Sequence, residues 1–142
     1  MPITNFGSIF NFAEELENIA LDYYKSALKN DTCSGYSDIF EQAVKDVTKN
    51  VKLVRRARQE NVTEMILENI DDFTRAPFCI ELENPEAIDG PAVLENAKKM
   101  EENAVQYYQQ AAGKLTALPE AARVLKTLGK KRVSRKEKLE AL

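Results

Sequence analysis

The sequence predicts an all-α fold: an antiparallel four-helix bundle made of two helical hairpins joined by a longer crossover. Three observations carry that prediction. Four segments repeat apolar residues at spacings of three and four, the period of a helix that buries one face. The connections between them hold the turn-forming and helix-stopping residues, as in "NDTCSGYSD" and in "DDFTRAPFCIELENPEAIDG" with its two prolines. No stretch competes as a strand.

The first helix is expected from about Ser8 to Lys29, with Ile9, Phe12, Ala13, Leu16, Ala20, Tyr23, Tyr24 and Ala27 on its apolar face. After a loop, Ser37 or Asp38 is the expected N-cap of a second helix that starts near Ile39 and ends around Arg58 to Glu60. That helix turns Phe40, Ala43, Val44, Val47, Val51 and Val54 inward, and a short helix, "VTEMILENI", follows it. The segment from Asp71 to Gly90 is the crossover. Pro91 then opens a third helix, with Asp89 or Gly90 near its cap, which runs to about Ala112 and stops at Gly113. Pro119 opens the fourth, reaching close to Leu142. Five Gly and five Pro in 142 residues leave room for such long helices, and 44% apolar residues suffice for one core, so residues 1–142 are expected to form a single domain.

Composition excludes several functions. The chain has no histidine, which removes the usual proton shuttle at neutral pH, a Ser-His-Asp triad, an HExxH zinc site and a haem held by histidine. Cys33 and Cys79 stand apart, without a CxxC, so neither a zinc knuckle nor a dithiol redox motif is available. A net charge of -3 and the lack of a nucleic-acid motif argue against nucleic-acid binding. "MPITNFGSIFNFAEELE" has neither a basic start nor a long apolar run, and no segment is long enough to span a bilayer; a cytoplasmic protein without membrane contact is expected. Charge is uneven along the chain. Residues 118–142 carry eight Lys or Arg against three Glu, which fits either a partner or a basic helix packed against acidic ones within one fold.

The most informative pattern occurs twice. "AEELENIALDYYKSA" (13–27) and "AKKMEENAVQYYQQA" (97–111) align without gaps at an offset of 84, sharing Glu17/Glu101, Tyr23/Tyr107, Tyr24/Tyr108 and the alanines 13/97, 20/104 and 27/111. The internal repeat suggests that helices one and three descend from one hairpin half. Residues seven apart lie nearly in line on a helix, so Glu17 and Tyr24 share a face with the small Ala20 between them, and Glu101, Ala104 and Tyr108 do the same. Both glutamates are thereby aimed into the bundle. Two buried carboxylates without partners are very costly, so positive charge is expected between them.

The pattern Glu-x-x-Ala-x-x-Tyr-Tyr-x-x-Ala on helices one and three, the duplication and the long crossover resemble the rubrerythrin-like branch of the ferritin-like superfamily. In that family one Glu from each of these helices, and a Glu-x-x-His pair from each of the other two, hold two iron or manganese ions. The resemblance implies a ferritin-like bundle and covers most of the chain. It breaks on helices two and four. Against the family's Leu-Ala-x-x-Glu-x-x-His, "FEQAVKDVTKNVKLV" places Val47 at the Glu position and Asn50 at the His position. On helix four, Leu128-Gly129 matches Leu-Ala, which puts Arg132 at the Glu position and Arg135 at the His position.

The expected function follows from that substitution. Arg132 and Arg135 supply the positive charge that metals supply in the family, forming a buried network with Glu17 and Glu101. Asn50 adds amide hydrogen bonds and the Tyr24 and Tyr108 hydroxyls cap the carboxylates. The chain is then a metal-free structural or binding module without catalytic residues or cofactor. It is expected to be a homodimer, with Phe73, Phe78 and Ile80 as apolar surface, or to bind a protein partner or a small anion between Arg132 and Arg135. Other readings stay open from the residues alone. The glutamates can lie on the bundle rim, the arginines can snorkel to water, or Glu17 and Glu101 can recruit Asp46 or Glu41 to an iron or manganese oxidoreductase site if the register of helix two is off by a turn.

Overall fold

The four apolar stripes become four long helices in the computed structural model, which describes residues 6–60, 73–115 and 118–142. They are α1 (Phe6–Ala27), α2 (Ser37–Glu60), α3 (Gly90–Lys114) and α4 (Pro119–Glu140), and no strand forms among the described residues. The expected short helix 62–70 lies outside the described residues. None of the helices is long and apolar enough to cross a membrane.

Helix pairing follows the chain. Glu14 near the start of α1 meets Arg55 and Arg58 near the end of α2, while Tyr24 near its end packs on Phe40 near the start of α2. That pair is therefore antiparallel, as are α3 and α4, where Glu102 meets Lys136 and a Cβ at Gly129 would come within 3.3 Å of the Tyr108 Cβ. Tyr24 reaches Glu101 and Tyr108 reaches Glu17, so α1 and α3 also run in opposite directions.

The helix ends depart from expectation in instructive ways. Neither Ser37 nor Asp38 caps α2. A 3-10 turn over Asp31–Tyr36 runs straight into the helix, and its cap is Asn30, whose side chain accepts from the Thr32 N–H. The Asn30 Nδ2 also donates to the Pro85 carbonyl at 2.7 Å and to that of Ile88, tying the α1–α2 connection to the end of the crossover. The tie brings the backbones so close that a Cβ on Gly90 would lie 2.3 Å from the Thr32 carbonyl oxygen; only glycine fits there. Asp89 caps α3 as expected, accepting from the Ala92 N–H at 2.9 Å. Gly113 does not stop that helix, which continues to Lys114. α4 ends at Glu140, and Leu142, expected on its apolar stripe, is half exposed.

Two apolar clusters fill the interior. One gathers Ile9, Phe12 and Leu16 of α1 with Val54, Tyr107, Leu125 and Leu128; the other gathers Ala20, Tyr24, Phe40, Val47, Val51, Val93, Met100 and Leu139. Each helix belongs to both clusters and passes from one to the other through a single polar zone: Glu17 on α1, Asn50 on α2, Glu101 on α3, Arg132 and Arg135 on α4. Phe73 and Phe78, expected as apolar surface, are buried instead, with their rings 5.7 and 5.2 Å from that of Tyr107. Covering Tyr107 removes them from water, which leaves Ile80 as the exposed residue of the three.

Candidate functional site

The polar zone is built first by α1 and α3. The Tyr24 hydroxyl donates to Oε1 of Glu101 at 2.8 Å, and the Tyr108 hydroxyl donates to Oε2 of Glu17. The neighbouring tyrosines repeat the exchange on the backbone. Tyr107 donates to the Ile9 carbonyl at 2.7 Å and Tyr23 to the Val93 carbonyl at 3.5 Å. Donors 23 and 107, 24 and 108, and acceptors 9 and 93, 17 and 101, all differ by 84. The two helices thus make the same contacts on each other in reverse.

Arg132 closes the zone from α4. Its Nε and Nη2 donate to Oε2 of Glu17 at 3.1 and 2.7 Å, its Nη1 to Oε2 of Glu101 at 3.0 Å, and its Nη2 also to the Leu16 carbonyl at 3.2 Å. One guanidinium thus bridges both carboxylates, and the fork geometry of arginine makes that possible where the ammonium of lysine would not. Arg135, one turn on, donates from Nη1 to Oε1 of Glu101 at 3.1 Å and sits 5.8 Å from the Tyr24 ring centre. The Asn50 amide donates to Oε1 of Glu17 at 3.0 Å, and its carbonyl oxygen receives a long 3.5 Å bond from Lys131. Glu17, Asn50, Glu101 and Arg132 have no exposed surface, and Arg135 is 5% exposed.

Protonation follows from these contacts. Burial alone would push the Glu101 carboxyl up, but Arg132, then Arg135, and the Tyr24 hydrogen bond together hold it below the usual carboxylate range. Burial likewise opposes the charge on Arg132, yet Glu101 and Glu17 more than offset it and hold the guanidinium charged. Tyr24 and Tyr108 are pushed well up, first by burial and then by the carboxylates they cap. A carboxylate held ionised is a weak base and a tyrosine pushed up is a weak acid. The zone is therefore electrostatically closed rather than poised for proton transfer.

Every residue singled out in the sequence has a definite place. Glu17, Glu101, Arg132, Arg135, Asn50, Tyr24 and Tyr108 meet in one hydrogen-bonded cluster, and Val47 is buried beside it in apolar surroundings. The glutamates are not on the rim, and the arginines do not snorkel. Asp46 is partly buried and accepts from Gln42, while Glu41 is exposed; neither reaches the centre. Sequence reasoning did not find Lys131 on Asn50, nor the carbonyl contacts of Tyr23 and Tyr107, although the shared 23/107 pair was a signal for the latter. Among the described residues, no group of three or more His, Cys, Asp or Glu gathers where it would hold a metal ion. Cys33 is buried and Cys79 exposed, both as free thiols. In comparisons with known proteins, no family model, no curated protein and no solved structure matches the chain.

Proposed function

We propose that this chain is a rubrerythrin-related, ferritin-like bundle whose centre is held by an arginine–glutamate network in place of two metals, and that it serves a structural or binding role rather than metal oxidoreductase chemistry. One observation carries the reading: the Arg132 guanidinium bonds both Glu17 and Glu101, the two carboxylates that such a bundle would offer to metal. The donor set does not fit a metal pair. Two carboxylates, an amide and a valine stand against two guanidinium groups, whose charge repels a divalent cation and already balances the carboxylates. The 84-residue offset shared by the tyrosine contacts supports a duplicated hairpin as the origin of the bundle.

Elemental analysis of metal-replete and chelator-treated protein, with thermal melts of each, tests the proposal. The expected result is no stoichiometric metal and superimposable melts. Close to two iron or manganese ions per chain, with a raised melting temperature, would overturn it and restore oxidoreductase chemistry.

A further inference from the structure

Between α2 and α4 lies an open cleft of about 370 Å³, on the side of the bundle away from the Arg132 fork. Lys131, Arg135 and Lys138 line it from α4, and Asp38, Asp46 and Lys49 from α2; with the Arg135 charge balanced by Glu101, a surplus of one positive charge remains. No ion pair closes it among the described residues, since the salt bridge of Arg135 goes to Glu101 and Asp46 is engaged by Gln42. The half-buried Ile39 and the buried Ala43 give it an apolar wall, and the exposed Ser134 adds a hydroxyl.

Arg135 distinguishes this cleft from an ordinary basic surface. A guanidinium has five N–H donors, and among the described residues Arg135 uses Nη1 on Glu101 and makes no other hydrogen bond. A cation 5% exposed that lines a cleft, is fixed by a carboxylate and has N–H donors that no described group takes is preorganised for an oxyanion. Arg132, by contrast, spends its donors on Glu17, Glu101 and Leu16, so the space between the two arginines is not the anion site.

We propose that the α2–α4 cleft binds a small organic anion, a carboxylate or phosphate on an apolar body, with Arg135 as anchor, Lys131 and Lys138 as flanking cations, and Ile39 and Ala43 against the body. The volume exceeds what a bare oxyanion fills, which is why an apolar body belongs to the ligand. The inference rests on the metal-free reading of the centre, because Arg135 is held in place by an ionised Glu101.

Titration calorimetry of the full chain at low salt, with phenylphosphate, hexanoate and neutral hexanol, tests it. One saturable event per chain is expected for at least one anion and none for hexanol; whichever anion binds tells phosphate from carboxylate. K131A/K138A, both exposed positions, is expected to stay folded, with a melting temperature lowered only by the loss of the long Lys131 bond to Asn50, and to weaken binding about tenfold, the equivalent of ~1.4 kcal/mol. Absence of saturable binding by both anions, equal binding of hexanol, or wild-type affinity in the double variant would each overturn the proposal. A parallel manganese titration separates the two readings. Manganese uptake refutes the metal-free centre itself, whereas a flat manganese titration with no anion binding refutes only the cleft.

Discussion

Helices α1 and α3 mirror one another, whereas α2 and α4 do not. On the first pair each tyrosine hydroxyl bond from one helix to the other has a counterpart 84 residues away, and each carboxylate receives one hydroxyl. On the second pair, α4 brings both cations and α2 brings an amide and a valine. The difference shows how little a buried ion cluster needs. Two carboxylates require two positive charges, and a single helix can supply both at a spacing of three, so its opposite number is free to turn apolar. The cleft lies on the α2–α4 side.

The largest effect that would sharpen this comparison comes from its hub. Arg132→Met leaves Glu17 and Glu101 facing each other across the bundle and is expected to cost about 3–5 kcal/mol in denaturant unfolding. Adding Glu17→Gln to that variant should recover part of the loss, because the two residues are coupled. A loss below about 1 kcal/mol for Arg132→Met, the size of an exposed pair, would break the account of the centre.

Arg135→Met is expected to cost less, about 2 kcal/mol, since Glu101 keeps Arg132 and Tyr24 and loses only one charge-assisted bond. Equal losses for the two arginines would show that the hub is shared. Below these come Tyr24→Phe and Tyr108→Phe, each expected to cost about 1–2 kcal/mol. The mirror relation of α1 and α3 demands that they match, and a large inequality between their unfolding midpoints would count against it.

The smallest signature is in acid. The folded carboxyl of Glu101 lies below its ordinary value, so the unfolded chain takes up that proton first as pH falls. Its stabilisation is complete above the ordinary glutamate value of about 4.3 and is lost as pH drops through the lower folded value. The melting temperature of the wild type should therefore fall more steeply below about pH 4 than that of Glu101→Gln, which has no proton to gain there.

How far the centre could be read in advance depends on which helix carries it. On α1 and α3 the positions were legible because the motif occurs twice, and a second copy fixes the register that one copy leaves open. On α4, arginines in line with Leu125, Leu128 and Leu139 were conspicuous because a buried charge needs a reason. The end of α2 and the start of α3 were legible, whereas the start of α2 was read two residues late and the stop of α3 two residues early. Asn30 caps the 3-10 turn that runs into α2, and its side chain is also bound to Pro85 and Ile88, a tertiary contact that no local pattern encodes. Gly113 is exposed and lies one residue before the end of α3 at Lys114, so it marks that end to within a residue. Phe73 and Phe78 read as exposed crossover residues because their partner, Tyr107, lies about thirty positions away in a motif already spoken for by the repeat.

The division of the central charges between the two hairpins has a consequence for assembly. The α3–α4 hairpin contains Glu101 with both arginines and so carries one uncompensated positive charge at its inner face; the α1–α2 hairpin contains Glu17 and carries one negative charge. Docking the hairpins is thus a neutralisation as well as a burial. A hairpin arriving in the wrong register would strand Glu17 in apolar surroundings and leave Arg132 with a single partner, so charge can act as a proofreading element for a process that apolar contacts alone would guide loosely. Fragments cut within the crossover are natural candidates for pairing in trans, each half recognising the other through a charge that it cannot satisfy alone.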